Sequence, residues 1–242
     1  MTPKKTRPLE GTQWIIAGAS GELGSALIRR FQAEGATVAA VSRSASKTRA
    51  DISVDADLTA PNRAASAALE TQAKLGHVDG VVWNAGGGFD RLIATLQAGD
   101  LDQLWRLQVI APNDFIRPLL PDMMRRRSGC WIGISSLAAA RPEKGQAAYG
   151  AVKAAFETWV KTLAREVGPK GIRANLLAPG FVESSRVASL PESVRNRLLQ
   201  ERIPLGRWAA AEEVAAAAAF LASPRAGYLT GQVLRLDGGA GM

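Results

Sequence analysis

The stretch Ala17-Gly18-Ala19-Ser20-Gly21-Glu22-Leu23-Gly24 stands between an apolar run at 14–17 and an amphipathic pattern of helical period at 23–34. Without a Cβ, glycine lets the chain turn tightly and bring its backbone close to a ligand. The helix that follows offers unpaired N–H groups and the positive end of its dipole. Glycines at 18, 21 and 24 between a strand and a helix therefore predict a phosphate-cradling turn, the opening unit of a dinucleotide-binding α/β fold.

The rest of the chain keeps that rhythm, apolar runs alternating with helical patterns as a parallel sheet covered by helices requires. Strands are expected at 14–17, 37–42, 52–54, 80–83, 130–135, 173–178 and 233–236. Helices are expected at 23–34, 62–75, 101–126, 147–167 and 212–222, the third kinked by Pro112, Pro118 and Pro121. Only 44–51 separates the second strand from the third, too short for a helical crossover, so a short coil is expected there. The segment 183–207 is too long for a plain connector, holds a helical stretch at 191–201 and reads as a lid over the substrate site. With 242 residues, 12–242 reads as a single α/β domain, preceded by a loose basic arm at 1–11.

The formal charge of +8 favours an anionic partner, and nucleic acid, an acidic carrier protein and a phosphorylated cofactor compete for that place. No aromatic residues are interleaved with the basic ones as stacking platforms, which argues against nucleic acid. No apolar run is long enough to span a membrane, and the single cysteine, Cys130, leaves no intrachain disulfide, so a cytoplasmic setting is expected. One histidine, His77, and one cysteine make a metal site improbable.

After the second strand comes Ser42-Arg43-Ser44, with no carboxylate to accept from a free ribose 2′-hydroxyl. A guanidinium pairs bidentately with phosphate and a serine hydroxyl donates to it, so this turn suits a 2′-phosphate, the group that marks NADP(H). Asp57 in Asp57-Leu58-Thr59, after the third strand, is placed to accept from an adenine amino group.

Tyr149 and Lys153 are four residues apart on the expected helix 147–167 and so share a face, thirteen residues or more downstream of the pair Ser135-Ser136. A phenol with a pKa of about 10 is a poor acid-base catalyst at neutral pH unless a nearby cation favours its phenolate. Lys153 is such a cation.

In order and spacing, Gly18, Gly24, Asn84-Ala85-Gly86, Ser136, Tyr149, Lys153 and Pro179-Gly180 resemble the single-domain short-chain dehydrogenases/reductases over nearly the whole chain. Pro204-Leu205-Gly206-Arg207 and Asp237-Gly238-Gly239 point to the 3-oxoacyl-acyl-carrier-protein reductase branch. The resemblance implies a Rossmann fold, a doubly wound seven-stranded sheet of order 3-2-1-4-5-6-7, and a homotetramer or homodimer. It implies Tyr149 as general acid/base, Lys153 on the nicotinamide ribose and Ser136 on the substrate carbonyl. For the cofactor it implies contacts from Gly18, Ser20, Gly21, Leu23, Gly24, Ser42, Arg43, Ser44, Asp57, Leu58, Asn84, Ala85 and Gly86. Pro179, Gly180, Val182 and Ser184 would border the nicotinamide.

Three positions depart from that family's pattern. Glu22 stands where single-domain members carry a glycine, close to the expected pyrophosphate: unfavourable if it faces inward, stabilising at a helix N-terminus if it faces outward. Trp83 replaces an asparagine. Gln108 takes the place of an asparagine that kinks its helix and orders a proton-relay water; glutamine keeps the amide and adds a methylene, and Pro112 offers a second source for the kink.

The expected function is an NADP(H)-dependent carbonyl reductase or alcohol dehydrogenase. A carrier-bound 3-oxoacyl substrate ranks first, because Arg125, Arg126, Arg127 and Lys170 bracket elements that adjoin the active-site face in the branch that the chain resembles, and a small free ketone second. The competing class is a non-catalytic NADP(H) sensor, against which the intact Ser136, Tyr149 and Lys153 argue.

Overall fold

In the computed structural model, which describes residues 7–242, seven strands form one all-parallel sheet in the order β3-β2-β1-β4-β5-β6-β7. They are β1 (Gln13–Ala17), β2 (Thr37–Ser42), β3 (Ile52–Asp55), β4 (Gly80–Trp83), β5 (Gly129–Ile134), β6 (Ile172–Pro179) and β7 (Val233–Leu236). Each expected strand is present, with ends that agree to within a residue. The order reverses between β1 and β4, the two strands flanking the crevice in which such sheets bind ligands.

Alternation along the strands feeds two cores. On one face Ile15, Val81, Trp83 and Trp131 pack beneath α2 (Arg63–Leu75), α4 (Ala111–Ile116) and α6 (Ala147–Val167). On the other, Trp14, Ile16, Val82 and Ile132 pack beneath α1 (Glu22–Ala33) and α9 (Ala211–Ala222). Trp83, the replaced asparagine, is fully buried, stacked on Trp131 at 5.9 Å and edge-on to Phe115 at 5.5 Å. Truncating such a ring to alanine costs about 3 to 5 kcal/mol.

The region expected as one kinked helix is divided into α3 (Ala98–Trp105), a π-helical turn (Arg106–Ile110), α4 and α5 (Leu120–Arg126). Pro112 has no N–H to give to the Gln108 carbonyl, so the regular ladder fails there and the chain widens into the π turn. Between β2 and β3 lies only a 3-10 turn, Ala45–Lys47, in place of a crossover helix. The segment 183–207 carries α7 (Ser185–Ala188) and α8 (Glu192–Arg202).

Residues 1–6 of the expected loose arm lie outside the described residues, and the rest of that stretch is docked. Leu9 is buried and donates through its N–H to the Glu34 carbonyl, and Gly11 donates to Gly35. Among the described residues, no helix is long and apolar enough to cross a membrane.

Candidate active site

A cleft of about 640 Å³ opens at the carboxyl ends of β1, β2, β3 and β4. Its walls include twelve of the expected cofactor residues: Gly18, Ser20, Gly21, Leu23, Ser42, Arg43, Asp57, Leu58, Asn84, Ala85, Gly86 and Ser184. Gly18 has φ +77°, and a Cβ there would stand 2.4 Å from the Ala85 nitrogen. Only glycine lets β1 turn this close to the chain leaving β4. Asn84 fixes the same junction, its Nδ2 donating to the Gly18 carbonyl at 2.8 Å and its N–H to that of Ala17 at 2.9 Å. Gly24 lies beneath the turn, where a Cβ would collide with Ala19.

At one end of the cleft Arg43 is exposed, and Ser42 is buried with no partner for its hydroxyl among the described residues. Asp57 Oδ1 accepts from the N–H and hydroxyl of Thr59, at 3.0 and 2.7 Å, and these bonds, with Arg43 nearby, hold its carboxyl below the usual range. Ser44 sits just before the 3-10 turn and does not line the cleft. At the other end Ser184 caps α7, its Oγ accepting from Val187 N–H at 3.3 Å.

Glu22 lines the cleft beside the phosphate turn, with its carboxylate directed to α7. Both its carboxylate oxygens accept from the Ser185 N–H, at 3.0 and 3.2 Å, joining the phosphate turn to the first residue of α7. The same segment is held from its far end by a bidentate pair between Arg202 of α8 and Glu143, a residue of the loop before α6, which keeps the Glu143 carboxyl ionised below its ordinary range.

Lys153 is 3 % exposed. Its Nζ donates to Gln108 Oε1 at 2.9 Å and to the Ile134 carbonyl at 2.7 Å, and lies 5.7 Å from the centroid of the Tyr149 ring. Burial pulls its pKa down to about 7, against the pull of the Glu157 carboxylate, which raises it. Gln108 is fully buried: a Cβ on Gly86 would stand 2.9 Å from its Nε2, an atom with no partner among the described residues. The same Cβ would stand 3.6 Å from Lys153 Nζ, so both the amide and the lysine abut the edge of the cleft at Gly86.

Tyr149 is half-buried, with Gly88 against its ring: a Cβ there would stand 2.7 Å from Cδ2. The strip Gly86-Gly87-Gly88 therefore separates the tyrosine from the cleft. Ser136 Oγ accepts from Ala138 N–H at 3.2 Å and faces a second cavity, of about 390 Å³. Pro179 pairs with Leu236, Gly180 donates to the Leu236 carbonyl and Val182 bridges to Ala209; all three belong to the sheet end beside β7 and not to the cleft wall.

The elements bracketed by the basic residues, β5 and β6, run to the site, but the basic residues themselves lie at the far ends of those strands. Arg125 and Arg127, at the end of α5, and Lys170, before β6, stand at the amino-terminal edge of the sheet. Along β5, from Gly129 to Ile134, five rises of roughly 3.3 Å put about 17 Å between them and the site within one chain. Arg126 is engaged with Asp122 and Asp79.

Two partners are not visible in the motifs. Ser135 Oγ donates to Glu157 Oε1 at 2.7 Å, and Glu157 is four residues past Lys153 on α6. The recurrence of charge at positions 153, 157 and 161 was the available signal.

A dinucleotide cleft at the switch point of a parallel sheet, with a buried lysine one helical turn from a tyrosine, defines an oxidoreductase of the short-chain dehydrogenase/reductase class, and the chain belongs to that family. Residues 14–241 match the profile of the family described as enoyl-(acyl carrier protein) reductase. The chain is 36 % identical over 233 residues to the acetoacetyl-CoA reductase of Synechocystis sp., covering 95 % of this chain and 96 % of that protein. It is 34 % identical over 244 residues to the 3-oxoacyl-(acyl-carrier-protein) reductase FabG of Thermotoga maritima, covering 96 % and 98 %. A solved mutant of a Serratia marcescens short-chain dehydrogenase/reductase superposes with a TM-score of 0.88 at 29 % identity, covering 97 % of this chain and all of that one.

Proposed function

We propose that this protein is an NADP(H)-dependent reductase of 3-oxoacyl thioesters, carried on coenzyme A or on an acyl carrier protein. The observation that carries the reading is Lys153, a buried ammonium held by two neutral oxygens one turn from Tyr149, with the dinucleotide cleft beyond Gly86. The cleft fits a dinucleotide: Gly21 and Gly87 have nothing within 4 Å of where a Cβ would stand, so the backbone there is open to a ligand. The names of the Synechocystis and Thermotoga relatives support the thioester class.

When bound, the nicotinamide supplies or takes the hydride. This chain's residues do the rest. The Tyr149 hydroxyl gives its proton to the ketone oxygen, Ser136 Oγ donates a hydrogen bond to the same oxygen, and the Lys153 ammonium favours the phenolate left behind. Arg43 pairs with the 2′-phosphate. Residues 12–242 work as one domain in this reading, with 183–207 closing over the substrate. Phe220 and Leu234, exposed on α9 and β7, support a homotetramer.

The test is turnover with acetoacetyl-CoA, an acetoacetyl carrier protein and simple ketones, followed by NADPH absorbance. Tyr149→Phe is expected to keep cofactor affinity and lose roughly 10² to 10⁴ in turnover. Tight NADPH binding with no turnover on any of them would favour a cofactor sensor.

A further inference from the structure

We propose that Glu157 is a positioning residue of this site: anchored by Ser135, its carboxylate keeps the neighbouring Lys153 side chain in the ammonium form. The inference rests on the proposed roles of Tyr149 and Lys153. Tyr149, Lys153, Glu157 and Lys161 recur at intervals of four along α6 and form one stripe on its surface. At the upper end of the stripe Tyr149 meets Gly88; one turn below, Lys153 meets Gln108 and the Ile134 carbonyl.

The next turn holds Glu157, with only 14 % of its side chain exposed. Its Oε1 accepts from the Ser135 hydroxyl at 2.7 Å, and its Oε2 lies 3.8 Å from Lys161 Nζ. Ser135 directly follows Ile134, so the end of β5 fixes the ammonium with one residue and the carboxylate with the next. A second cavity, of about 390 Å³ and lined by Ser136, Glu157, Lys161 and Arg235, opens on this side.

Both groups bonded to Lys153 Nζ are neutral. Burial works against its charge, and the carboxylate acting in its favour is Glu157. Lys161 from α6 and Arg235 from β7 face that carboxylate across the cavity, and Ser135 holds it from β5. An apolar side chain would fill the position without the cost of desolvating an ion, so what a glutamate adds at 157 is its charge.

The experiment follows the Lys153 Cε resonance with pH in cofactor-free protein carrying ¹³C-labelled lysine, assigned with Lys153→Met. In Glu157→Gln, which keeps the shape, the midpoint is expected to fall by about one pH unit. The loss of turnover on the alkaline side moves down with it, so turnover at pH 8 drops about tenfold while that at pH 6 changes far less. Glu157→Asp restores both. A folded Glu157→Gln with an unmoved Lys153 midpoint would overturn the proposal. Should that variant fail to fold, Ser135→Ala, which frees the carboxylate from its anchor, gives a second test: the Lys153 midpoint is expected to fall in the same direction, and an unmoved midpoint overturns the proposal equally. A shifted midpoint in a protein that reduces no ketone would leave the charge coupling standing and reject the proposed reaction.

Discussion

Lys153 Nζ and Gln108 Oε1 are joined by a 2.9 Å hydrogen bond across 45 residues of sequence, both side chains buried. The π turn makes the contact: by widening the helix at Arg106–Ile110 it turns Gln108 toward α6 and not along its own helix. The longer amide thus reaches the lysine itself, at the place where the family's asparagine orders a water.

Gln108→Leu removes the acceptor while filling the space. A hydrogen bond to a charged group contributes about 1.5 to 3 kcal/mol, and its loss disfavours the ammonium. The Lys153 midpoint is expected to fall below its present value of about 7, with turnover at pH 8 reduced more than at pH 6. Parallel pH profiles of the two proteins would show instead that the amide is packing only.

Lys153 also makes stability depend on pH. Its folded pKa is depressed by burial to about 7, against 10.5 for the free side chain. Below pH 7 both folded and unfolded chains hold the proton, and the full cost of the buried charge is present. Between about pH 7 and 10.5 the unfolded chain binds the proton the folded one has released, so this group's contribution to stability rises with pH across that window. Replacing it by methionine removes the dependence. The stability of Lys153→Met relative to the natural protein is therefore expected to decline by a few kcal/mol from pH 6 to pH 10, since a tenfold change in proton affinity is worth about 1.4 kcal/mol. Urea melts at pH 6, 8 and 10 measure it, and a constant difference would show that burial of this lysine carries no such cost.

Glu22 tests the phosphate turn. Its carboxylate lies at the first turn of α1, where in the proposed reading it competes with a pyrophosphate for the same positive dipole end, and it also holds the Ser185 N–H. Glu22→Gly is expected to tighten dinucleotide binding about two- to fivefold, the equivalent of roughly 0.3 to 1 kcal/mol, and to speed hydrogen exchange at the Ser185 amide. Weaker binding would mean that the contact with Ser185 orders the cleft more than the charge opposes the ligand.

The sheet and the cleft were legible because both follow from local patterns: apolar runs fix the strands, and glycines between strand and helix mark the turn. What escaped depends on side chains meeting across distance. The position of Gln108 follows from a π turn: Pro112 announced a break in the helix but not the direction in which the widened turn would aim the amide. Glu22 could face either way until Ser185 was placed beside it. Glu157 reads as a solvated helix charge unless Ser135, twenty-two residues earlier, is known to end a strand against it. The basic cluster Arg125, Arg126, Arg127 and Lys170 is a different case. Residues just before a strand of a parallel sheet stand at its amino-terminal edge, so strand direction alone put them away from the site.

The proposed preference for NADP(H) rests on Arg43, exposed at the cleft's rim beside the buried hydroxyl of Ser42, which has no partner among the described residues. The turn carries no carboxylate to accept from a ribose 2′-hydroxyl, and Asp57, which lines the same end, spends one oxygen on Thr59. A charge-assisted bond to the 2′-phosphate contributes roughly 1.5 to 3 kcal/mol, or about one to two decades in affinity. Quenching of tryptophan fluorescence by NADPH and by NADH measures the two affinities in the natural protein and in Arg43→Ala. NADPH is expected to bind at least tenfold more tightly to the natural protein, a factor that matches the lower figure, and the variant to lose most of that difference while its NADH affinity stays unchanged. Equal affinities in the natural protein, or a preference that survives the substitution, would assign recognition of the phosphate to another residue.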